Sequence, residues 1–377
     1  MNFTLSEEQE MLKKMARDFL TDKCPKKTVR EMEEDDKGYS PELWKEMAEL
    51  GWMGLVFPEE YGGSGMSFLD LSVLLEEMGR SCLPSPFSST VVLGGLPILI
   101  AGDEAQKQKY LPLVTNGEAI FTLALTEASA QYSADSITVK ATENNGSYII
   151  NGTKLFVPDA HVADYLLCVA RTNEQAEAEN GISIFIVDAK SPGIGYTTLK
   201  TIAGDKLCEV VFDQVQVARE NILGKLDQGW GVVRKIIEQA AVAKCCETTG
   251  AMQQALEMTV DYAKERKQFD RPIGSFQVIQ HYCANMATDV DGLRFSAYQA
   301  AWMISEGLPC AKEAAIAKTW MGEACGRITT LAHQIYGAIG CTIDHDLHFY
   351  TRRGKAAELT FGGGDFHRET VAREMGL

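Results

Sequence analysis

The stretch SYIINGTKLFV, residues 147–157, decides the fold class, because it is β-rich and lies in the middle of a chain whose two ends have helical patterns. Other runs of the same kind surround it, rich in β-branched and aromatic residues. They are IFTLAL (120–125), YLLCVA (165–170), ISIFIV (182–187) and VVFDQVQV (210–217). Short strands separated by turns predict a small barrel or sandwich, since βαβ units need a helix between successive strands.

Asparagine-glycine pairs mark turns in this middle region. Asn144-Asn145-Gly146 and Asn151-Gly152 are both typical of hairpin turns, because Asn and Gly accept the positive φ that such turns require. We therefore expect a hairpin at each of the two places.

Helical patterns occupy both ends of the chain. Apolar residues recur at helical spacing from Leu5 to Leu20. Ser40 is a predicted N-cap followed by Pro41 at the first helical position, and Gly51 is placed to end that helix. Further helices are expected at 68–78, 103–114, 231–267, 274–305 and 310–336, with a last one starting near 366.

This order predicts an α+β fold of three domains. We expect an N-terminal α-helical domain (1–118), a middle β-barrel domain (119–226) and a C-terminal four-helix-bundle domain (227–377).

The charge balance excludes two classes of function. The 377 residues include 52 Asp plus Glu against 36 Lys plus Arg, so the formal net charge is -16. Nucleic-acid binding and docking on anionic lipid both need a basic surface.

The longest apolar stretch, Val91–Ala101, is shorter than the ~20 residues of a membrane span. MNFTLSEEQE lacks the basic start of a signal peptide, and the 10 cysteines form no CxxC, so we expect a cytoplasmic protein with reduced thiols.

Common nucleotide and nucleophile motifs are absent from the sequence. It contains no GxGxxG after a strand, no GxxxxGK[ST] and no GxSxG, which argues against a Rossmann site, a P-loop and a nucleophile elbow. We interpret His345 and His348, beside Asp344 and Asp346, as part of a solvated loop or a helix start, and no metal site is predicted.

Five segments, in this order and spacing, resemble the acyl-CoA dehydrogenase family. They are GLVFPEEYGGSG (54–65), LALTEASA (123–130), YIINGTKLFV (148–157), ERKQFDRPIGSFQVIQH (265–281) and HQIYGAIG (333–340). Together they cover nearly the whole chain.

The resemblance implies a flavoenzyme that holds FAD noncovalently and oxidises an acyl-CoA thioester. It implies loss of a Cα hydrogen as a proton and of a Cβ hydrogen as hydride to flavin N5, with electrons passing on to an electron-transfer flavoprotein. It also implies a homotetramer built as a dimer of dimers.

The family's flavin contacts fall on identifiable residues. Leu125 and Thr126 match the turn that hydrogen-bonds the flavin ring, and Phe156 matches an aromatic residue beside it. Pro158 stands where the family often has Thr, so a hydroxyl near N5 is missing. Arg266 matches the arginine that reaches the FAD pyrophosphate of the neighbouring subunit. The accompanying cofactor residues are Gln268, Phe269, Gln277, Gln334, Gly337, Gly363 and Asp365.

The substrate residues implied by the resemblance are less complete. Glu238 matches an acidic residue near the pantetheine, but the arginine expected three positions later is Ala241. Tyr132, Phe361 and Gly362 complete the predicted substrate set, and the backbone N–H of Phe361 corresponds to a donor for the thioester carbonyl.

The family's catalytic glutamate is missing. Its usual position is Phe361, and the position used by a minority of relatives is Ala240. Neither side chain can accept a proton, which Cα proton abstraction requires.

Three explanations stay open at the level of sequence. Another acid serves as the base, with Glu247 and Asp365 as candidates. Alternatively, the substrate is an alicyclic-ring or otherwise unusual thioester that loses its proton from a different carbon, although the stretch 87–91 carries no carboxylate for that role. In the third, the chain is a catalytically weak structural subunit of a heteromeric enzyme.

Overall fold

The computed structural model describes residues 4–377, so the first three positions of the predicted N-terminal domain lie outside the described residues. The helices are α1 (Glu7–Lys23), α2 (Lys26–Glu34), α3 (Pro41–Glu49), α4 (Phe68–Ser81), α5 (Phe87–Thr90), α6 (Leu96–Ala101), α7 (Glu104–Thr115), α8 (Trp230–Glu265), α9 (Gln277–Ser305), α10 (Ala311–Tyr336), α11 (Leu347–Leu359) and α12 (Gly364–Glu374). The strands are β1 (Phe121–Ala124), β2 (Lys140–Asn144), β3 (Ser147–Pro158), β4 (Tyr165–Arg171), β5 (Ile182–Asp188), β6 (Ile194–Leu199), β7 (Leu207–Ala218), β8 (Ile222–Leu223), β9 (Lys267–Gln268) and β10 (Arg271–Pro272).

Local signals in the sequence set several helix ends. Ser40 caps α3 by accepting from the backbone N–H of Leu43 at 3.2 Å, with Pro41 as the first helical residue. Gly51 follows that helix with φ +76°, a conformation that glycine adopts without steric cost. These predictions are confirmed.

One turn prediction is confirmed and one is wrong. Asn145 and Gly146 both have positive φ and join β2 to β3 as a hairpin. Asn151-Gly152 instead lies inside β3, where the pairing with β7 shifts register after Ile150. The pair makes a β-bulge, because the bulge needs the same φ freedom as a turn. The sequence patterns also do not predict α2, α11, β2 or β6.

The predicted barrel region forms one eight-stranded sheet in the order β6-β7-β3-β2-β4-β5-β8, with β1 paired to β4. β3 and β7 are the two longest strands and pair antiparallel. β1 pairs parallel with β4 from Phe121 to Ala124, which leaves Leu125 and Thr126 just beyond its end.

The chain divides into two compact units. The helical unit contains the chain up to Glu31, Phe68–Leu83 and Ala241–Leu377, and the sheet unit contains Met32–Ser67 and Pro84–Ala240.

Glycines allow α4 and α8 to cross closely in the helical unit. A Cβ on Gly79 would lie 1.7 Å from the carbonyl oxygen of Glu247, and a Cβ on Gly250 would lie 1.7 Å from that of Glu76. Both distances are far below van der Waals contact, so neither position tolerates a side chain without moving a helix.

In the sheet unit, aromatic rings pack at the end of the sheet. Tyr110 of α7 makes edge contacts with Phe121 and Tyr165, which stack on each other with ring centroids 4.9 Å apart. Such contacts anchor β1 and β4 against α7. In neither unit does any described helix have the length and apolar character needed to cross a membrane.

Candidate functional site

The end of β1 and the end of β3 meet in the sheet unit. The Leu155 N–H donates to the carbonyl of Thr126 at 2.8 Å, and the Thr122 hydroxyl donates to the carbonyl of Pro158 at 2.6 Å. Two stretches far apart in sequence therefore bring together the four residues predicted to contact the flavin ring, Leu125, Thr126, Phe156 and Pro158.

A buried ion pair lies beneath this junction. Lys154 is 0% exposed, and its Nζ donates to the Leu125 carbonyl at 3.0 Å and to Glu127 Oε1 at 2.7 Å. The Glu127 carboxylate also accepts from the N–H and hydroxyl of Thr138 and from the N–H of Val139. Although burial alone would raise it, the charge of Lys154 and these hydrogen bonds lower the pKa of Glu127. Lys154 thus holds the residues on both sides of Thr126, Leu125 and Glu127.

Phe156 presents an aromatic ring at this junction. It has φ +55° and is 48% exposed, which is unusual for a large apolar residue in a strand. Thr126 is half-buried, with its carbonyl engaged by Leu155. A half-buried threonine and an exposed aromatic ring, on strand ends joined by the Leu155–Thr126 bond, suit a flat, partly polar ligand.

The other predicted residues of the sheet unit are less closely defined. Tyr132 lies half-buried in the segment between β1 and β2, and Glu238 lies half-buried on α8.

The segment after α8 forms a small hairpin in the helical unit. Gln268 pairs with Arg271, and the Ile273 N–H donates to the carbonyl of Arg266 at 2.8 Å. Phe269 at its tip has φ +54° and is largely exposed, with its ring edge against Phe276. This hairpin groups the predicted cofactor residues Arg266, Gln268, Phe269 and Gln277, the last being the first residue of α9.

Gln334 and Gly337 lie exposed at the end of α10. Gly337 has φ +64°, and its N–H bonds to the carbonyl of His333, which ends the helix. A positive φ at this position favours glycine and turns the chain into the segment that follows.

The turn between α11 and α12 carries Phe361, the position at which the resemblance predicts the family's base. Phe361 has φ +59° and Gly362 φ +100°, so both residues lie in the left-handed region. Lys318 of α10 donates to the Gly362 carbonyl at 3.0 Å, and His367 Nε2 lies 3.0 Å from the Phe361 carbonyl. The turn is therefore held from two sides.

The two candidate carboxylates differ in their surroundings. The Asp365 side chain is 98% exposed and pairs with Arg368 at 2.9 Å, so it faces solvent beside Gly363. The Glu247 side chain is 25% exposed and pairs with Lys244 at 2.7 Å. Glu247 and Lys244 are partly exposed on a stretch of α8 whose neighbouring residues are buried, among them Ala240.

Comparison with known proteins decides the family. The chain is 34% identical over 383 residues to a probable acyl-CoA dehydrogenase, YngJ, of Bacillus subtilis, with 100% of both chains covered. The chain belongs to the acyl-CoA dehydrogenase family. The family's N-terminal, middle and C-terminal domain descriptions match residues 6–118, 122–215 and 227–376.

Two further relatives support the same assignment. The caffeyl-CoA reductase-Etf complex subunit CarC of Acetobacterium woodii is 33% identical over 340 residues, covering 89% of each chain. The butyryl-CoA dehydrogenase structure from Megasphaera elsdenii superposes with a TM-score of 0.93 at 29% identity, covering 100% of both chains. This acyl-CoA dehydrogenase is therefore an FAD-dependent oxidoreductase that acts on CH–CH groups.

The described residues fit FAD. The β1–β3 junction offers a hydroxyl and an exposed aromatic ring, as a flavin ring requires, and the hairpin offers the Arg266 guanidinium, which suits phosphate oxygens. Among residues 4–377 no group of three or more His, Cys, Asp or Glu side chains is arranged to hold a metal ion.

Sequence reasoning missed three lysines that bond predicted site residues, namely Leu125, Glu247 and Gly362. Lys154, Lys244 and Lys318 were not singled out, because each one sits in a run that looks like ordinary strand or helix. One signal was available for Lys318, which falls on the stripe of α10 formed by Ala314, Met321 and Cys325. A lysine on an otherwise apolar helix stripe indicates a buried cation with partners.

Proposed function

We propose that this acyl-CoA dehydrogenase oxidises an acyl-CoA thioester with a relocated base, Glu247. Two facts carry this proposal. Neither Phe361 nor Ala240 is ionisable, and a half-buried carboxylate, that of Glu247, lies on the same helix as Ala240. FAD, when bound, accepts the hydride from the substrate.

Helix geometry supports Glu247 over a more distant acid. Glu247 lies seven residues beyond Ala240, which is ~10 Å along the axis and close to two full turns, so both share one face. Side chains on a helix tilt toward its N-terminus. The bond from Lys244, three residues earlier, supports a Glu247 carboxylate that runs in that direction, toward the turn of Ala240.

The neighbouring charges support a position of Glu247 on the side of α8 nearer the turn of Phe361. Lys244 lies close enough to Lys318 for its charge to lower the Lys318 pKa, and Lys318 itself bonds Gly362. This supports our assignment of the Lys244–Glu247 pair to the same region of the helical unit as the turn that we propose to bind the thioester.

The distance along α8 between Ala240 and Glu247 favours an unusual acyl group. A carboxylate displaced along α8 removes a proton from a carbon farther from the thioester than Cα. Such a proton is acidic only if conjugation links it to the thioester, as in an unsaturated alicyclic-ring thioester. In that step the C–H bond breaks, the proton moves to Glu247, and its electron pair enters the new double bond as hydride leaves the neighbouring carbon.

Other residues of this chain bind and orient. The Phe361 N–H is proposed to donate to the thioester carbonyl, where charge develops as the proton leaves. Arg266 is proposed to bind the FAD pyrophosphate of a neighbouring subunit, which would make oligomerisation necessary for a complete cofactor site.

A second candidate function is that of a catalytically weak structural subunit in a heteromeric acyl-CoA dehydrogenase. The same two positions, Phe361 and Ala240, favour it, because a subunit that leaves the chemistry to a partner has no need of a base. The name of the CarC relative describes a subunit of an Etf complex, so assembly with other proteins occurs among relatives.

Assembly and location complete the proposal. We propose a tetramer, either a homotetramer built as a dimer of dimers or a heterotetramer, located in the cytoplasm. We propose that its electrons pass to an electron-transfer flavoprotein.

Colour and bleaching test the function directly. The chain expressed alone should be yellow, and an anaerobic titration with saturated and ring acyl-CoA thioesters should bleach the flavin absorbance. Yellow protein that no thioester reduces supports the structural-subunit candidate. Colourless protein contradicts FAD binding by the isolated chain.

A further inference from the structure

Lys318 is a buried lysine with no role in the scheme above. It lies in the first third of α10, is 2% exposed, and its neighbours on the buried stripe are small or apolar. A buried ammonium is costly unless its three N–H groups find acceptors.

All three acceptors are backbone carbonyls of one short segment. The Nζ donates to the carbonyls of Ala357 at 2.9 Å, Glu358 at 3.0 Å and Gly362 at 3.0 Å. The first two belong to the last turn of α11, where unpaired carbonyls carry the negative end of the helix dipole. Lys318 thus ties the end of a helix to the turn that follows it.

That turn needs external support. Phe361 and Gly362 both have positive φ, and for a bulky residue such as Phe this conformation costs ~1–3 kcal/mol. Strained backbone persists only where its surroundings hold it. Here Lys318 holds the Gly362 carbonyl and His367 bonds the Phe361 carbonyl, while the Thr360 N–H donates to the Ala356 carbonyl. The peptide that carries the Phe361 N–H is therefore restrained from both sides.

We propose that Lys318 is a positioning residue that fixes the Phe361 N–H to receive the thioester carbonyl. The inference rests on the proposed function, because it takes the Phe361 N–H as the carbonyl donor. The restraint of the turn by Lys318 does not depend on whether the chain is catalytic.

The charge state of Lys318 gives the proposal a pH dependence. Burial lowers the pKa of Lys318 to about 8, so the ammonium with three donors prevails at pH 7 and the amine with two donors prevails above pH 8. The ionisable groups facing it are Lys244 and Cys245 on α8, Cys325 on α10, Glu358 on α11 and His367 on α12. Burial raises the pKa of Cys245 to about 12 and that of Cys325 further, so both stay neutral in this range.

The test compares Lys318→Met with Lys26→Met in the FAD-loaded protein. Lys26 is a matched control, because it is partly buried in the same unit and its Nζ donates to the carbonyl of Ser81 at 2.5 Å. The Kd of a non-oxidisable thioether analogue and of an acyl-CoA is measured by calorimetry, and amide hydrogen exchange is measured over 356–366.

We expect Lys318→Met to exchange faster over 356–366, to retain FAD, and to bind the acyl-CoA about 10-fold more weakly, while the thioether, which lacks the carbonyl, loses little. Lys26→Met should match wild type in all three. Unchanged exchange and unchanged acyl-CoA affinity in Lys318→Met would overturn the proposal.

If Lys318→Met does not fold, wild type and Lys318→Arg provide the test. Wild-type acyl-CoA affinity should fall above pH 8, and Lys318→Arg, which stays charged, should lose that dependence. Equal pH dependence in both overturns the inference. A wild type that binds acyl-CoA with this pH dependence but is never bleached contradicts the dehydrogenase function and leaves the Lys318 inference standing.

Discussion

Replacing Lys154 by Met should destabilise the sheet unit and weaken flavin binding together. The substitution leaves the Glu127 carboxylate buried without its cation, and breaking a buried ion pair in this way costs ~3–5 kcal/mol. The carboxylate keeps its bonds from Thr138 and Val139, which places the loss near the lower end. The Leu125 carbonyl also loses its donor at 3.0 Å, which adds ~1 kcal/mol.

We therefore expect Lys154→Met to lose about 4 kcal/mol of unfolding free energy from these two costs. In a thermal melt the apparent midpoint should fall by roughly 5–10 °C. The purified variant should also carry less FAD, because the segment on which Leu125 and Thr126 lie is no longer fixed.

The double variant Lys154→Met with Glu127→Gln is the internal control. Glutamine keeps an acceptor for the Val139 N–H without a buried charge, so the double variant should be more stable than Lys154→Met alone. The reasoning is refuted if Lys154→Met melts like wild type, or if removing the charge of Glu127 recovers none of the loss.

Three further outcomes follow from single contacts. Arg266→Ala should weaken FAD retention about 10-fold or more through loss of the proposed charge-assisted phosphate contact, while Lys267→Ala should retain FAD as wild type does. Gly250→Ala should lower the melting midpoint by several degrees, because its Cβ meets the backbone of α4 at 1.7 Å, whereas Gly231→Ala, with open space around it, should be neutral or slightly stabilising. Burial and the charge of Lys318 lower the pKa of His367 to about 4. The unfolded chain therefore binds this proton first, and acidification from pH 6.5 to 4 should reduce the free energy of unfolding by ~3 kcal/mol. In acid titrations followed by circular dichroism, His367→Gln should show a smaller loss of stability.

Each of these has a clear contrary result. FAD content unchanged in Arg266→Ala refutes the phosphate contact, and equal melting of the two alanine variants refutes the close helix crossing. An acid profile that is the same with and without the imidazole of His367 shows that another group titrates.

Local signals in the sequence were sufficient where the structure depends on neighbours in the chain. Ser40-Pro41 and Gly51 set the ends of α3, and Asn145-Gly146 sets the β2–β3 hairpin, because capping and turn geometry involve only a few adjacent residues. Asn151-Gly152 carries the same local signal, but pairing of β3 with β7 along its length overrides it. The three domain boundaries stay a prediction.

The site could be predicted only where it is local to a motif. Leu125 and Phe156 come together because the ends of β1 and β3 meet in the sheet. No pattern within either strand shows that Lys154 bonds the Leu125 carbonyl. Lys318 likewise lies 44 residues before the carbonyl of Gly362 that it holds. Partners so distant in sequence become visible only in the fold.

Flavin reduction in Glu247→Gln tests the central claim most directly. The rate of absorbance loss after mixing with a bleaching thioester is compared among wild type, Glu247→Gln and Asp365→Asn, the other candidate carboxylate. The relocated base predicts that Glu247→Gln binds FAD and thioester but reduces the flavin ~100-fold or more slowly, while Asp365→Asn reduces it at the wild-type rate. A wild-type rate in Glu247→Gln would contradict the account.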